Sequence, residues 1–119
     1  MLYDWPQMAK DLSGLLKELH GGQGSSAVMK NFSAMARSAL ETKALDTKTK
    51  ELVALGISVA VRCDPCVAFH AKAAVDQGAT REEVQETIAT AIYMGAGPSV
   101  MYAAKALEAY DQFAEAKKG

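Results

Sequence analysis

The chain lacks an excess of charge of either sign. Thirteen Lys and Arg stand against fourteen Asp and Glu, for a formal net charge of −1. No field therefore draws it to nucleic acid or to an anionic membrane surface. It also lacks any uninterrupted apolar run approaching the ~20 residues of a membrane-spanning helix. The opening Met1-Leu-Tyr-Asp-Trp-Pro has neither the basic segment nor the apolar core of a secretion signal, so a cytoplasmic location is expected. There is no internal repeat, no low-complexity segment and no stretch that alternates apolar and polar residues with the period of a strand. Cysteine is nearly absent, with Cys63 and Cys66 the only two. In a reducing compartment, a lone close-spaced pair is more often catalytic, redox-active or metal-binding than a structural staple.

What is present is helix. The 119 residues suit one domain with one core. Trp5, Met8, Leu12, Leu15, Leu16 and Leu19 recur with helical spacing, and the glycines at 21, 22 and 24 end that helix. Residues 1–25 therefore read as a helical arm with a glycine-rich loop, able to dock separately from a main domain over residues 26–119. His20, at the end of the arm helix, reads as a favourable imidazole near a helix C-terminus and not as a ligand.

A second helix is expected from Ser26 to about Leu40, with Val28, Phe32, Met35, Ala36 and Ala39 on one side. Asp46 suits the N-cap of a third, Thr47 to about Val61, which is apolar on every side from Leu52 onward and so reads as buried. A fourth starts near Cys63, with Pro65 in its first turn, and stops at Gly78. Thr80-Arg-Glu-Glu83 is a capping box for a fifth, to about Met94. Gly95-Ala-Gly97-Pro98 stops it, and a last helix follows from about Pro98. The fold class is all-α, with about six helices joined by short turns. The segments 52–61 and 84–104 carry more apolar surface than a small monomer can bury, so a homo-oligomer is expected.

The chemistry concentrates in Glu51–His70, ELVALGISVAVRCDPCVAFH. On a helix, Cys63, Cys66 and His70 fall within an arc of about 60°. Cysteines at i and i+3 have a Cα separation of about 5 Å, which permits a disulfide. A thiol attacks peroxides or disulfides as its thiolate. The positive end of the helix at Cys63–Cys66 favours that anion, and His70 can take the proton of Cys66. By analogy with thioredoxin-type helices the nucleophile is Cys63. By the histidine spacing it is Cys66, which is preferred here because an imidazole is a specific base while the helix end acts on both sulfurs. Two other readings stand beside this one. The cysteines can be packed and inert, or they can join His70 in a zinc site, although structural zinc wants a fourth ligand and no second paired cluster exists. Glu51 by itself is an ordinary glutamate of a first helical turn.

Taken together, Glu51, an eleven-residue gap, Cys63-x-x-Cys66 and then His70 resemble the signature of the AhpD-like alkylhydroperoxidases of the carboxymuconolactone decarboxylase superfamily. The likeness extends over most of Lys30–Ala116. It implies an all-α fold that assembles as trimers or hexamers and a thiol-dependent peroxidase or disulfide oxidoreductase activity. It also implies Cys66 as the residue that becomes a sulfenic acid, Cys63 as proton donor, and Glu51 with His70 as a proton relay. The partners so implied are a hydroperoxide or disulfide substrate and a protein or small-thiol reductant, with no cofactor and no metal. The decarboxylase branch lacks the cysteine pair. Better-known AhpD proteins carry a histidine directly before the second cysteine, where this chain has Pro65. Glu51 lies about 18 Å before Cys63 on a straight helix, so it reaches His70 only if the chain turns back near Arg62, directly or through a bridging water. A reading of another class keeps the fold but makes the chain an oligomeric binding or redox-sensing module.

Overall fold

The computed structural model describes all 119 residues, and they form helices and turns with no strand. Helices α1 (Trp5–Gly21), α2 (Ser26–Leu40), α3 (Thr47–Ala60), α4 (Asp64–Asp76) and α5 (Arg81–Lys118) follow one another along the chain. Helix α5 is broken at Ala96, whose φ of 53° and ψ of −134° are not helical. It is therefore two helices, α5a over residues 81–95 and α5b over residues 97–118, which gives the six expected. The break has a local cause. Pro98 brings no backbone N–H, so the ladder of the first helix cannot run through it, while it suits the first turn of a new one. Gly95 fits at the bend because it carries no Cβ, which there would collide with Ser99 Oγ.

The caps follow sequence chemistry. Asp4 accepts from the Gln7 N–H at 3.1 Å and Asp46 from the Thr49 N–H at 2.8 Å. Thr80 and Glu83 form the reciprocal capping box at the head of α5a. Gly78, at φ 80°, closes α4: its N–H donates to the Val75 carbonyl and that of Ala79 to the Ala74 carbonyl. This is the Schellman pattern. The same pattern closes α3, but there Arg62 occupies the left-handed position at φ 59°, with its N–H on Val59 O and that of Cys63 on Ser58 O.

The core lies where α3, α4 and α5 meet. Leu55 and Val59 of α3, Val67, Ala68, Ala71 and Ala74 of α4, and Val84, Ala106 and Ala109 of α5 are fully enclosed. The alanines let the helices approach closely. Helix α1 packs on α4 and α5 of its own chain. Trp5 is fully buried, with its backbone N–H on Gln112 Oε1 and its indole N–H on Glu108 Oε1. The Leu2 and Tyr3 N–H groups also donate to Glu108.

One expectation about burial is corrected. Helix α3 is not enclosed on every side: Val53, Ile57 and Val61 are half or more exposed. Helix α2 buries no residue at all, and Val28, Phe32 and Met35 face outward. The periodicity located both apolar faces, but one chain has no element left to cover them.

Candidate functional site

The turn at Val61–Cys63 decides the site. Helix α3 ends with Arg62 in the left-handed region, which sends α4 back along α3. Glu51, on the second turn of α3, thereby meets His70, in the middle of α4. His70 Nδ1 and Glu51 Oε1 are 2.8 Å apart, a direct hydrogen bond with no need of a bridging water. Glu51 is only 7% exposed, so its carboxylate is in a place where a charge needs a partner. A carboxylate accepts, so Nδ1 carries the hydrogen and the outer nitrogen, Nε2, keeps its lone pair. An imidazole so oriented can accept a proton at Nε2, with a carboxylate behind it.

Cys63 is the N-cap of α4 and Cys66 stands in its first turn. They are joined in a disulfide, with Cα atoms 5.2 Å apart. Cys63 Sγ also accepts the Cys66 N–H at 3.2 Å, so one of the otherwise unpaired donors of the helix start points at sulfur. Pro65 fits this first turn because its missing N–H has no intrahelical partner there. His70 lies one turn beyond Cys66 on the same face of α4. The structure thus puts Glu51 of α3 in contact with His70 and the two sulfurs in contact with each other, with His70 and Cys66 on neighbouring turns of α4. No group of three or more His, Cys, Asp or Glu side chains is arranged to hold a metal ion.

One neighbour of the pair was invisible in the sequence. Asp64, the residue after Cys63, receives Lys105 Nζ on both carboxylate oxygens, at 3.1 and 3.2 Å. The ammonium also lies 4.3 Å from the centroid of the Tyr102 ring and 5.2 Å from that of Tyr3. Burial works against its charge, but the Asp64 hydrogen bond and charge, with the two tyrosines, outweigh it and hold Lys105 above the ordinary lysine range. Forty-one residues separate the partners, so no spacing rule links them.

On the far side of α3 lies an apolar groove of about 570 Å³ between α3 and α5a, lined by Leu52, Val53, Ile57, Ala60, Ala91 and Met94 among others. Its floor is Gly56, which lets the two helices approach: a Cβ there would sit 3.4 Å from Thr87 Cγ2.

Comparison with known proteins agrees with the geometry. Residues 26–109 match the carboxymuconolactone decarboxylase family. An uncharacterized protein of Cupriavidus necator is 38% identical over 109 residues, covering 87% of this chain and 96% of its own. Another, of Haemophilus influenzae, is 37% identical over 110 residues, or 92% and 96% of the two chains. Among solved structures, a carboxymuconolactone decarboxylase family protein of Legionella pneumophila superposes with a TM-score of 0.88 at 43% identity, over 92% of this chain and 96% of that one. A family member from Thermotoga maritima superposes at 0.76 with 25% identity, over 98% and 94%, and its description raises a role in an antioxidative response as a possibility.

Proposed function

We propose, from the premise that this chain belongs to the carboxymuconolactone decarboxylase family, that it is a dithiol oxidoreductase. In this reading it reduces a hydroperoxide, or a disulfide on a partner, by cycling Cys63 and Cys66 between dithiol and disulfide. The observation that carries the reading is the Glu51–His70 hydrogen bond, 2.8 Å long and one helical turn from Cys66. An acid-backed imidazole beside a thiol is the arrangement that makes a thiolate at neutral pH.

The steps balance as follows. His70 Nε2 takes the Cys66 proton, and Glu51 stabilises the resulting imidazolium through Nδ1–H. The Cys66 thiolate attacks the terminal oxygen of ROOH. The O–O bond breaks, Cys66 becomes a sulfenic acid, and the departing RO⁻ takes a proton from Cys63 to leave as ROH. The Cys63 thiolate then attacks Cys66 sulfur, the S–S bond forms, and hydroxide leaves with the imidazolium proton as water. The disulfide is the form seen here. An external thiol or dithiol returns two electrons and two protons to it.

One observation favours a second assignment within the same activity. Cys63 Sγ, not Cys66 Sγ, accepts the helix N–H, which supports Cys63 as the stable thiolate, as in thioredoxin-type helices.

Single-turnover oxidation of the reduced protein by a hydroperoxide, followed by stopped flow and mass spectrometry, separates these readings. Cys66→Ser is expected to abolish oxidation. Cys63→Ser is expected to allow one oxidation and leave a sulfenic acid on Cys66 that a dimedone-type probe labels. His70→Ala should slow attack by roughly 10²–10⁴-fold, the usual size of a lost general base. Glu51→Gln should cost less, because it acts on His70 and not on sulfur. A sulfenic acid forming on Cys63 at near wild-type speed in the Cys66→Ser protein reverses the assignment. Unchanged rates in all four variants overturn the enzyme reading in favour of a binding or sensing module.

A further inference from the structure

Asp64 stands at a costly place for a dithiol centre. It is the first residue of α4, one position after Cys63 and two before Cys66. Its carboxylate suits a helix N-terminus, but a negative charge there opposes the formation of a second one on either sulfur. Lys105, reaching in from α5b, meets that carboxylate with both oxygens engaged. The lysine is not a free surface cation. Its side chain is only 17% exposed, and the rings of Tyr102 and Tyr3 flank the ammonium. Tyr3 is in turn held by its backbone N–H on Glu108, one turn beyond Lys105 on α5b.

We propose that Lys105 is a positioning residue for the dithiol centre: by holding Asp64 it fixes the first turn of α4 and cancels a carboxylate charge that otherwise opposes a thiolate on Cys63 or Cys66. The inference rests on the pair working as a dithiol, and it holds for either assignment of the nucleophile. The charged and titratable groups around the pair are few. Asp64 and His70 belong to α4, Arg62 to the turn before it, Glu51 to α3, Lys105 and Tyr102 to α5b, and Tyr3 to the N-terminal segment. Glu51 and His70 are paired with each other. Asp64 is the carboxylate closest in sequence to both cysteines, and Lys105 is its ion-pair partner.

The test is the pH profile of iodoacetamide alkylation of the reduced, full-length protein, with each cysteine read by mass spectrometry. A unit charge about one helical turn away, screened by water at a half-buried site, is worth roughly three- to tenfold in a neighbouring acid dissociation. Lys105→Met should slow alkylation of the reactive cysteine at neutral pH by about that factor and move its profile to higher pH. Asp64→Asn should move it the other way, because Lys105 is then uncompensated. The double variant, which removes both charges, should return to the wild-type profile, and Lys105→Arg, which keeps the charge, should stay near it. Circular dichroism of each variant checks that the helices persist. If Lys105→Met and Asp64→Asn move the profile in the same direction, or the double variant fails to return, the lysine acts through packing and the inference is overturned. Wild-type superposition of all four profiles overturns it too, while leaving the dithiol reading standing. Absence of an activated cysteine in the wild type itself removes the dithiol reading and the lysine's role with it.

Discussion

Glu51 is the residue on which the site turns. A carboxylate this enclosed is unfavourable unless a donor meets it, and His70 Nδ1 does so at 2.8 Å. The same logic governs Glu108 on α5b. It accepts the backbone N–H groups of Tyr3 and Leu2 and the indole N–H of Trp5, and those hydrogen bonds, the backbone ones foremost, hold its carboxyl below the ordinary glutamate range. A carboxyl depressed in the folded state contributes stability that is fully present above the ordinary glutamate range and is lost as pH falls through the lowered folded value. Acidification through that window should therefore release the N-terminal segment. Trp5 is the only tryptophan, so its emission reports the event directly. A red shift is expected on acidification of the wild type. In Glu108→Gln, which still offers an oxygen but does not titrate, that step should vanish. An identical acid transition in the variant would place the sensitivity elsewhere.

At the scale of elements, two helix ends with one geometry differ in one residue. Helix α4 closes through Gly78 at φ 80° and α3 through Arg62 at φ 59°. Glycine adopts that region freely, whereas an L side chain meets its own carbonyl there at a cost of about 1–2 kcal/mol. Gly78→Ala should therefore destabilise the fold by about 1 kcal/mol, and Arg62→Gly should stabilise it by up to about the same amount, reduced by the added freedom of the unfolded chain. Urea unfolding of the two variants measures both. If Arg62→Gly lowers stability, the arginine side chain supplies packing or charge that outweighs its backbone cost. The strained turn matters to the proposed function because it re-aims the chain within three residues. It brings Glu51 to His70 and starts α4 at Cys63.

The whole molecule carries more surface than one chain of its size needs. Its accessible area is 7333 Å², against about 6,200 Å² for a monomeric protein of this mass. Its radius of gyration is 14.6 Å, against about 13.5 Å for a compact chain of this length. Exposed apolar side chains gather on two faces among others. One is the outer face of α2, with Val28, Phe32 and Met35. The other is the rim of the α3–α5a groove, with Val53, Ile57 and Met94. Faces of this kind call for a partner, and we propose that further copies of this chain cover them. Light scattering at micromolar concentration should give three or six times the 12.6 kDa of one chain. Ile57→Lys should reduce that mass, because it puts a charge in the middle of the groove rim. A wild-type particle of 12.6 kDa would overturn the assembly.

The sequence by itself determined the parts that depend on near neighbours. Helix α2 runs from Ser26 to Leu40, as read from spacing. Asp46 and Thr80 cap the helices that their chemistry suits, and Gly78 ends α4 where only its backbone freedom is needed. The Cys63–Cys66 contact was equally legible, because three residues of helix set it without help from the rest of the chain. Tertiary structure alone decided what depends on distant partners. Arg62 carries no sign of a left-handed turn, since the residue types that announce one are glycine and asparagine. The direct Glu51–His70 bond needed that turn and the packing of α3 on α4. Lys105 reaches Asp64 only because α5b folds back across the start of α4. The outward faces of α2 and α3 show the same division. Periodicity says which side of a helix is apolar, but whether that side is covered depends on the elements, of this chain or of another copy, that come to lie on it.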